Sequence, residues 1–316
     1  MKKTPQQLQG PPDELSSAGV RLHRPVLLQA TLDVLKPKKG DSYLDLTAGY
    51  GGHAGAIIAK IGDAHLATLV DRDQNAISSL QPFAKGGARV IKNDYATEAA
   101  ALHKAGELFD VILLDIGVSS PQLDNPQRGF SFMQDGPLDM RMDQSAGKSA
   151  ADLVNRLSKD DLVYILRTYG EEPHATKIAT AITHNRPFST TTQLAQVIEQ
   201  AFRGRRGKIH PATRTFQALR IAVNDELKQL SDTLLLLPDL LKPDGRVAII
   251  SFHSLEDRLV KHFFKEQASA GYEATLTLLT KQPISGATED VSNPRARSAK
   301  LRAAAKINTK RGYHAY

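Results

Sequence analysis

Short apolar runs alternate with helical stretches along the first third of the chain. Ser42–Thr47 ends in a glycine cluster, and Leu66–Val70 is stopped by Asp71, Arg72 and Asp73. Ala88–Ile91 gives way to Asn93 and Asp94, and Phe109–Ile116 is the most continuous of the four. Runs that are apolar throughout suit strands buried on both faces, hence a parallel sheet with helices on either side. Between them, His53–Lys60 and Gln74 to about Leu80 read as helices. The rhythm predicts an α/β doubly wound fold.

The rhythm breaks after Gln122. Residues from Asn125 to about Asp143 are rich in Gly, Pro, Asp and Met, which predicts a long ordered loop, and Ser149–Phe202 reads as helical. After Pro211 a helix is expected over Thr215–Leu237, then a turn at Lys242–Gly245, a strand at Arg246–Phe252 and a helix at Leu255–Phe264. Leu276–Leu279 and Leu301–Ile307 fit a terminal strand pair. The economical division is a sheet domain over 21–123 and 215–316, interrupted by a helical insert at 124–214. Residues 1–20, dominated by Pro, Gln and Ser, are expected to be a disordered tail.

Composition narrows the class. Of 316 residues, 41% are hydrophobic and 24% charged, which excludes wholesale disorder. No apolar run reaches the ~18 residues of a membrane span, and the N-terminus lacks the apolar core of a signal peptide. With no cysteine, disulfides, thiolate metal sites and a cysteine nucleophile are excluded. A soluble, cytoplasmic protein is expected. The net charge of +7 permits a polyanionic partner. Its distribution says more: Arg203, Arg205, Arg206, Lys208 and Arg214 share one acid-free stretch, and Arg295 to Arg311 is a second. Six per cent aromatics and no Trp argue against a protein built mainly from base-stacking platforms.

The candidate chemistry lies where strands end. Asp45 to Gly55 places Gly49, Gly51, Gly52 and His53 at the first strand-to-helix turn, where glycines let backbone approach a ligand. Asp71 ends the second strand about twenty residues on, where a carboxylate accepts hydrogen bonds from ribose hydroxyls. Asp73 is the better helix cap of the two. Asn93-Asp94-Tyr95 places polar and aromatic groups beside an adenine. A dinucleotide dehydrogenase and an S-adenosylmethionine-dependent methyltransferase both fit to this point. The fourth strand favours the methyltransferase, because it ends in Asp115-Ile-Gly-Val-Ser119-Ser120-Pro121-Gln122 and no hydride-transfer His–carboxylate pair is evident nearby. An exocyclic base amine is a poor nucleophile until acceptors hold its N–H bonds and free the lone pair. The Ser119 and Ser120 hydroxyls, or the carbonyls beside Pro121, are candidates for that work.

Longer motifs go further. HRPVLL (His23–Leu28), DLTAGYGGHAG (Asp45–Gly55), ILLDIGVSSPQLD (Ile112–Asp124), RGFSFMQDGPLDMRMD (Arg128–Asp143), HPATRTFQALRIAVNDEL (His210–Leu227) and ISFHSLEDRLVK (Ile250–Lys261) resemble the bacterial 16S rRNA cytosine-N4 methyltransferases of the RsmH/MraW family. The resemblance covers nearly the whole chain after about residue 22. It implies a class I, Rossmann-like S-adenosylmethionine-dependent methyltransferase sheet with an inserted, mainly helical substrate-recognition domain. It also implies methylation of a cytidine N4 in the decoding region of 16S rRNA within the small ribosomal subunit. The sulfonium of the donor is already strongly activated, so orientation can suffice without a metal or a covalent intermediate, although the carboxylates around Asp135–Asp143 are candidates to hold a cation. Whether two copies form a homodimer stays open.

Carried over by position, the cofactor contacts are Gly51, Gly52, His53, Asp71, Tyr95, Asp115 and Gln122. The family usually has Phe at the Tyr95 position. The catalytic set is Asp115, Ser119, Ser120 and Pro121, with Ser-Ser-Pro-Gln replacing the acidic-proline-proline turn of many amino-methyltransferases. On the substrate side are Asp139 and Arg141, with a salt bridge between them as the rival reading, then Arg205, Arg206, Arg214 and His253. Arg214 and Arg220 also admit a structural role, and capping by Ser254 explains the Ser-Leu-Glu-Asp run without function. Methylation of another amine, on DNA or protein, and a non-catalytic RNA-binding or ribosome-assembly factor are the rivals. Composition alone does not separate RNA from DNA.

Overall fold

The structure, a computed structural model, describes residues 25–202 and 210–308. The expected N-terminal tail, Arg205 and Arg206 fall outside them. Strands β1 (Tyr43–Asp45), β2 (Ala67–Asp71), β3 (Arg89–Lys92), β4 (Phe109–Asp115), β5 (Leu241–Ser251), β6 (Leu276–Leu278), β7 (Ile284–Ser285) and β8 (Lys300–Lys306) form one sheet. Its order is β3-β2-β1-β4-β5-β8-β6, with β7 also paired to β8. The first five strands are parallel, and β8 runs antiparallel to both β5 and β6. The expected terminal pair is therefore present, with Leu276 opposite Lys306.

The apolar runs are continuous because neighbouring residues face opposite sides of the sheet. Leu44, Ile112, Leu114, Val247 and Ile249 face α5 (Tyr95–Lys104), α12 (Glu226–Leu240) and α13 (Ser254–Ser269) in one apolar cluster. Tyr43, Val111, Leu113, Ala248 and Ile250 face α1 (Leu28–Leu35) and α2 (Gly52–Ile61) in another. Helices α3 (Gln74–Ser79) and α4 (Gln81–Lys85) join β2 to β3, and α6 (Ser120–Asp124) follows β4.

The insert carries α7 (Ala150–Arg156), α8 (Lys159–Gly170), α9 (Ala175–His184) and α10 (Thr191–Ala201), packed round their own cluster. Two expectations need correcting here. The single helix expected over Thr215–Leu237 is two, α11 (Thr213–Asn224) and α12, parted at Asp225 with φ 53°. The break lets the chain change partners: Phe216, Ala218 and Leu219 pack in the insert's cluster, whereas Leu230, Leu234 and Leu237 pack on the sheet. The insert's core thus runs past residue 214 into α11. The expected turn at Lys242–Gly245 is a bulge within β5, where the register jumps from Phe109↔Leu241 to Val111↔Arg246. Among the described residues no helix is long and apolar enough to cross a membrane.

Candidate active site

The sheet order reverses at β1, between β2 and β4. In open α/β sheets the crevice outside the carboxyl ends of the strands at such a point is where ligands bind. Here that crevice is a cavity of about 1230 Å³, reaching from Gly51 and Asp71 across Asp115 to Phe216 of the insert and Pro294 near the C-terminus. That exceeds the ~300–1,000 Å³ of an ordinary small-molecule pocket and leaves room for two reactants.

Asp71 sits at the tip of β2. Its Oδ2 accepts the Gly49 N–H at 2.8 Å and its Oδ1 accepts the Asp73 N–H at 2.8 Å. Two backbone donors fix the carboxylate, and each oxygen retains a lone pair for a ribose diol. Burial pushes the Asp71 pKa up, against those two donors. The glycines beside it are needed for a more local reason than expected. A Cβ on Gly51, where φ is 82°, would run into the Phe83 ring, and one on Gly52 would come within 2.5 Å of Pro25. Asp71→Ala should therefore weaken cofactor affinity at least tenfold, and calorimetric titration that returns an unchanged Kd would remove the ribose assignment.

Behind the turn lies a cluster of buried acids that sequence reasoning only partly singled out. Asp45 accepts from the Tyr43 hydroxyl at 2.6 Å and the Thr47 N–H at 3.1 Å, and burial still lifts its pKa to about 7. Asp115, at the end of β4, is lifted to about 8 by burial, with the negative charges of Asp45 and Glu256 adding to it. Asp115 lines the cavity, and its buried Oδ1 has no hydrogen-bond partner. Oδ2 stands 3.6 Å from His53 Nδ1. The His53 ring is buried, which lowers its pKa to about 4, and its Nε2 meets the Val26 carbonyl at 3.1 Å. A carbonyl only accepts, so the neutral ring carries its proton on Nε2 and turns the Nδ1 lone pair towards Asp115. The His53 N–H is therefore spent on the Val26 carbonyl.

The Ser-Ser-Pro-Gln turn is committed to starting a helix. Ser119 caps α6 in a capping box, its hydroxyl accepting from the Gln122 N–H while Gln122 Oε1 accepts from the Ser119 N–H. The Pro121 carbonyl accepts from Asn125 within the same helix end. Ser119 and Pro121 therefore have local partners in place of the amine expected for them, while Ser120, on the cavity wall, is the helix's first residue. Gln122 also reaches back, donating through Nε2 to Asp73 Oδ2 at 2.8 Å. Asp73 caps α3 as expected, accepting from Asn75.

The centre of this network was missed in the sequence. Arg128 is 4% exposed, and its Nη1 donates to the same Asp73 Oδ2 at 2.6 Å. Its Nη2 donates to the carbonyls of Arg141 and Met142. Asn224 holds the loop from the other side, accepting from the Met142 N–H and donating to the Met140 carbonyl. The long loop after Arg128 is thereby pinned over the end of the sheet. Asp139 and Arg141 take the salt-bridge reading: Arg141 Nε and Nη2 lie 2.7 and 2.9 Å from the two Asp139 oxygens, and neither residue lines the cavity.

Arg214 is likewise drawn away, bonding the Glu171 carbonyl at 3.2 Å where α8 meets α11. Glu171 in turn joins Ser254 and Arg258 of α13 across the cleft. His253 does line the cavity, but His253, not Ser254, caps α13, with Glu256 closing the capping box. Arg220, given a structural reading from sequence, holds Glu226 with two bonds of 2.9 and 2.8 Å on the cavity wall. Tyr95 lines the same wall, its hydroxyl donating to the Glu226 carbonyl at 3.1 Å.

Glu226, His253 and Glu256 bring ligand-type atoms within 4.8 Å of one another. Arg220 balances Glu226, the backbone N–H groups of Phe252 and His253 point at Glu256 Oε2, and His253 Nε2 stands 3.1 Å from Glu256 Oε1. The carboxylates of Asp135, Asp139 and Asp143 are similarly engaged by Thr192, Arg141 and Ser145.

A fixed carboxylate for a diol, an aromatic wall and a buried unpaired carboxylate oxygen together fit a nucleoside carrying a positive charge, with a second reactant beyond it. Comparison with known proteins agrees. The MraW methylase family matches residues 20–307. The ribosomal RNA small subunit methyltransferase H of Cyanothece sp. is 48% identical over 296 residues, 92% of this chain and 97% of the relative. The protein of the same name from Synechocystis sp. is 48% identical, covering 90% and 93%. That from Halothermothrix orenii is 44% identical, covering 90% and 98%.

Proposed function

The chain belongs to the MraW methylase family, and from that we propose that it methylates the exocyclic N4 amine of a cytidine in the decoding region of 16S rRNA. S-adenosylmethionine, the family's methyl donor, supplies a methyl group already activated as a sulfonium. Asp71 would hold its ribose, Tyr95 would lie along its adenine, and Asp115 would face its positive charge.

The observation that carries the reading is Asp115 on the cavity wall at the carboxyl edge of β4, with its buried Oδ1 lacking a hydrogen-bond partner. An amine attacking a sulfonium must present its lone pair and shed a proton after the C–N bond forms. A carboxylate oxygen that accepts one N4–H bond does both parts of the positioning, pulling the nitrogen towards tetrahedral geometry and giving the departing proton a destination. Ser119 and Pro121 already have local partners, and Asp115, beside Ser120 on the same wall, is the acceptor there that can also take a proton. The insert and the basic stretches ending at Arg214 and beginning at Arg295 would hold the surrounding phosphates.

The test uses small ribosomal subunits from cells lacking the gene, incubated with the protein and labelled S-adenosylmethionine. Nucleoside mass spectrometry should find N4-methylcytidine mapping to the decoding region. A methyl group on another atom, or no transfer to mature or precursor particles, overturns the reading.

The acid limb of the rate profile follows from the same carboxylate. Asp115 can take the departing proton only when ionised, and its pKa is raised to about 8, with Asp45 beside it at about 7. kcat/KM for the cofactor should therefore rise with pH through about 7–8. In kcat the limb should fall to lower pH, because a bound cation favours the ionised form. Profiles flat from pH 6 to 9 would mean that Asp115 is ionised throughout.

A further inference from the structure

We propose that Met133 is a wedge that fills the gap left in the RNA stack while Phe132 carries the extruded cytosine. The proposal rests on the N4-methylation reading above. It starts from a steric requirement: the amine of a stacked base cannot reach Asp115 at the floor of the crevice, so the base must leave its stack. Proteins that open a stack commonly insert one apolar side chain, Met among them, between the separated bases.

The loop after Arg128 offers both parts in adjacent residues. Phe130, Ser131 and Phe132 line the cavity. Phe132 is braced from behind, edge-on to Phe216 at a centroid distance of 4.8 Å and against His210 at 4.7 Å. A ring held in this way is a fixed surface on which a planar base can stack.

One residue on, the chain leaves the cavity wall and Met133 stands 82% exposed. A thioether side chain left in water at the rim of a charged pocket has no packing role in the protein itself. Nor is its position loose. The Met133 N–H bonds Ser131 Oγ, Asp135 bonds Thr192, and Pro137 bridges to Thr190, so the tip is tied to α10.

The experiment compares Met133→Ala and Met133→Leu with the wild type on unmethylated small subunits. Because Met133 is exposed, both variants should fold and bind cofactor as the wild type does. Met133→Ala should lower kcat/KM for the particle about tenfold or more, and Met133→Leu, which restores an apolar side chain of similar size, should recover to within about threefold. An alanine variant as fast as wild type, or a leucine variant as slow as the alanine one, overturns the wedge. So does a change in sedimentation of Met133→Ala, which would assign the tip to contact between copies of the chain. If the wild type itself places no methyl on cytidine N4, the underlying reading fails; if it does and Met133→Ala matches it, only the wedge fails.

Discussion

Asp115→Asn is expected to lower methyl transfer by two to three orders of magnitude and, above neutral pH, to make the protein more stable. Loss of rate follows from replacing a carboxylate acceptor with an amide that offers one weaker acceptor and cannot take a proton. Removing one such preorganised group typically costs 10²–10³ in kcat. The gain in stability has the opposite root. The folded Asp115 pKa, about 8, lies above the ordinary carboxylate value, so the folded protein holds a proton that the unfolded chain has already released. Stability due to this group is whole below about pH 4 and is lost as pH rises towards 8, where ionisation in the buried site must be forced. Asparagine has nothing to ionise. Calorimetry at pH 5 and pH 8 should show a wild type–variant gap in Tm that widens with pH, by a few degrees at the upper end. A gap independent of pH would mean that Asp115 ionises as readily folded as unfolded.

Arg128→Met should be the most damaging substitution for the fold itself. It removes the donor to Asp73 and to two loop carbonyls, and leaves a buried carboxylate held only by Gln122 and the Asn75 N–H. Breaking one side of a buried ion pair costs about 3–5 kcal/mol. In a chain of this size that lowers Tm by on the order of 10 °C. Adding Asp73→Asn should restore part of the loss, because no uncompensated charge is then buried. A double-mutant cycle in denaturant measures that coupling, and a value near zero would show that Arg128 and Asp73 are solvated independently of each other.

Arg128 also marks where sequence reading stops. In the sequence it is one basic residue among many, and its burial depends on Asp73, 55 positions earlier, and on carbonyls 13 and 14 positions later. Nothing periodic encodes such a partnership. The sheet was legible for the contrary reason: Tyr43–Asp45, Ala67–Asp71 and Phe109–Asp115 are buried on both faces, so burial is written in consecutive residues. The break at Asp225 was invisible because Thr213–Asn224 and Glu226–Leu240 both carry amphipathic patterns, and only the packing partner changes between them. That Asp71 and Asp115 would line the cavity was legible from their place at strand ends. Ser119 was not, because a capping serine and a steering serine occupy the same position in a Ser-Pro turn. The Asp139–Arg141 pair was visible as an alternative, and the structure takes that alternative.

The pairing of β4 with β5 has a consequence for how the chain reaches this state. Phe109–Asp115 and Leu241–Ser251 are neighbours in the sheet, yet the whole insert lies between them in sequence. Closing so long a loop as loose coil carries an entropic penalty that must be met before the strand contacts form. The insert has its own apolar cluster and can compact first, drawing the two strand ends together. Assembly of the crevice would then wait on a unit that contributes little to the sheet, and the order of events on the pathway would be insert, then β4 against β5, then β8 against β5. The C-terminal residues Pro294, Arg295 and Ser298 complete the cavity wall only at that last stage. A nascent chain still short of them would hold its cofactor turn and its target-facing loop, but no finished chamber in which the two could meet.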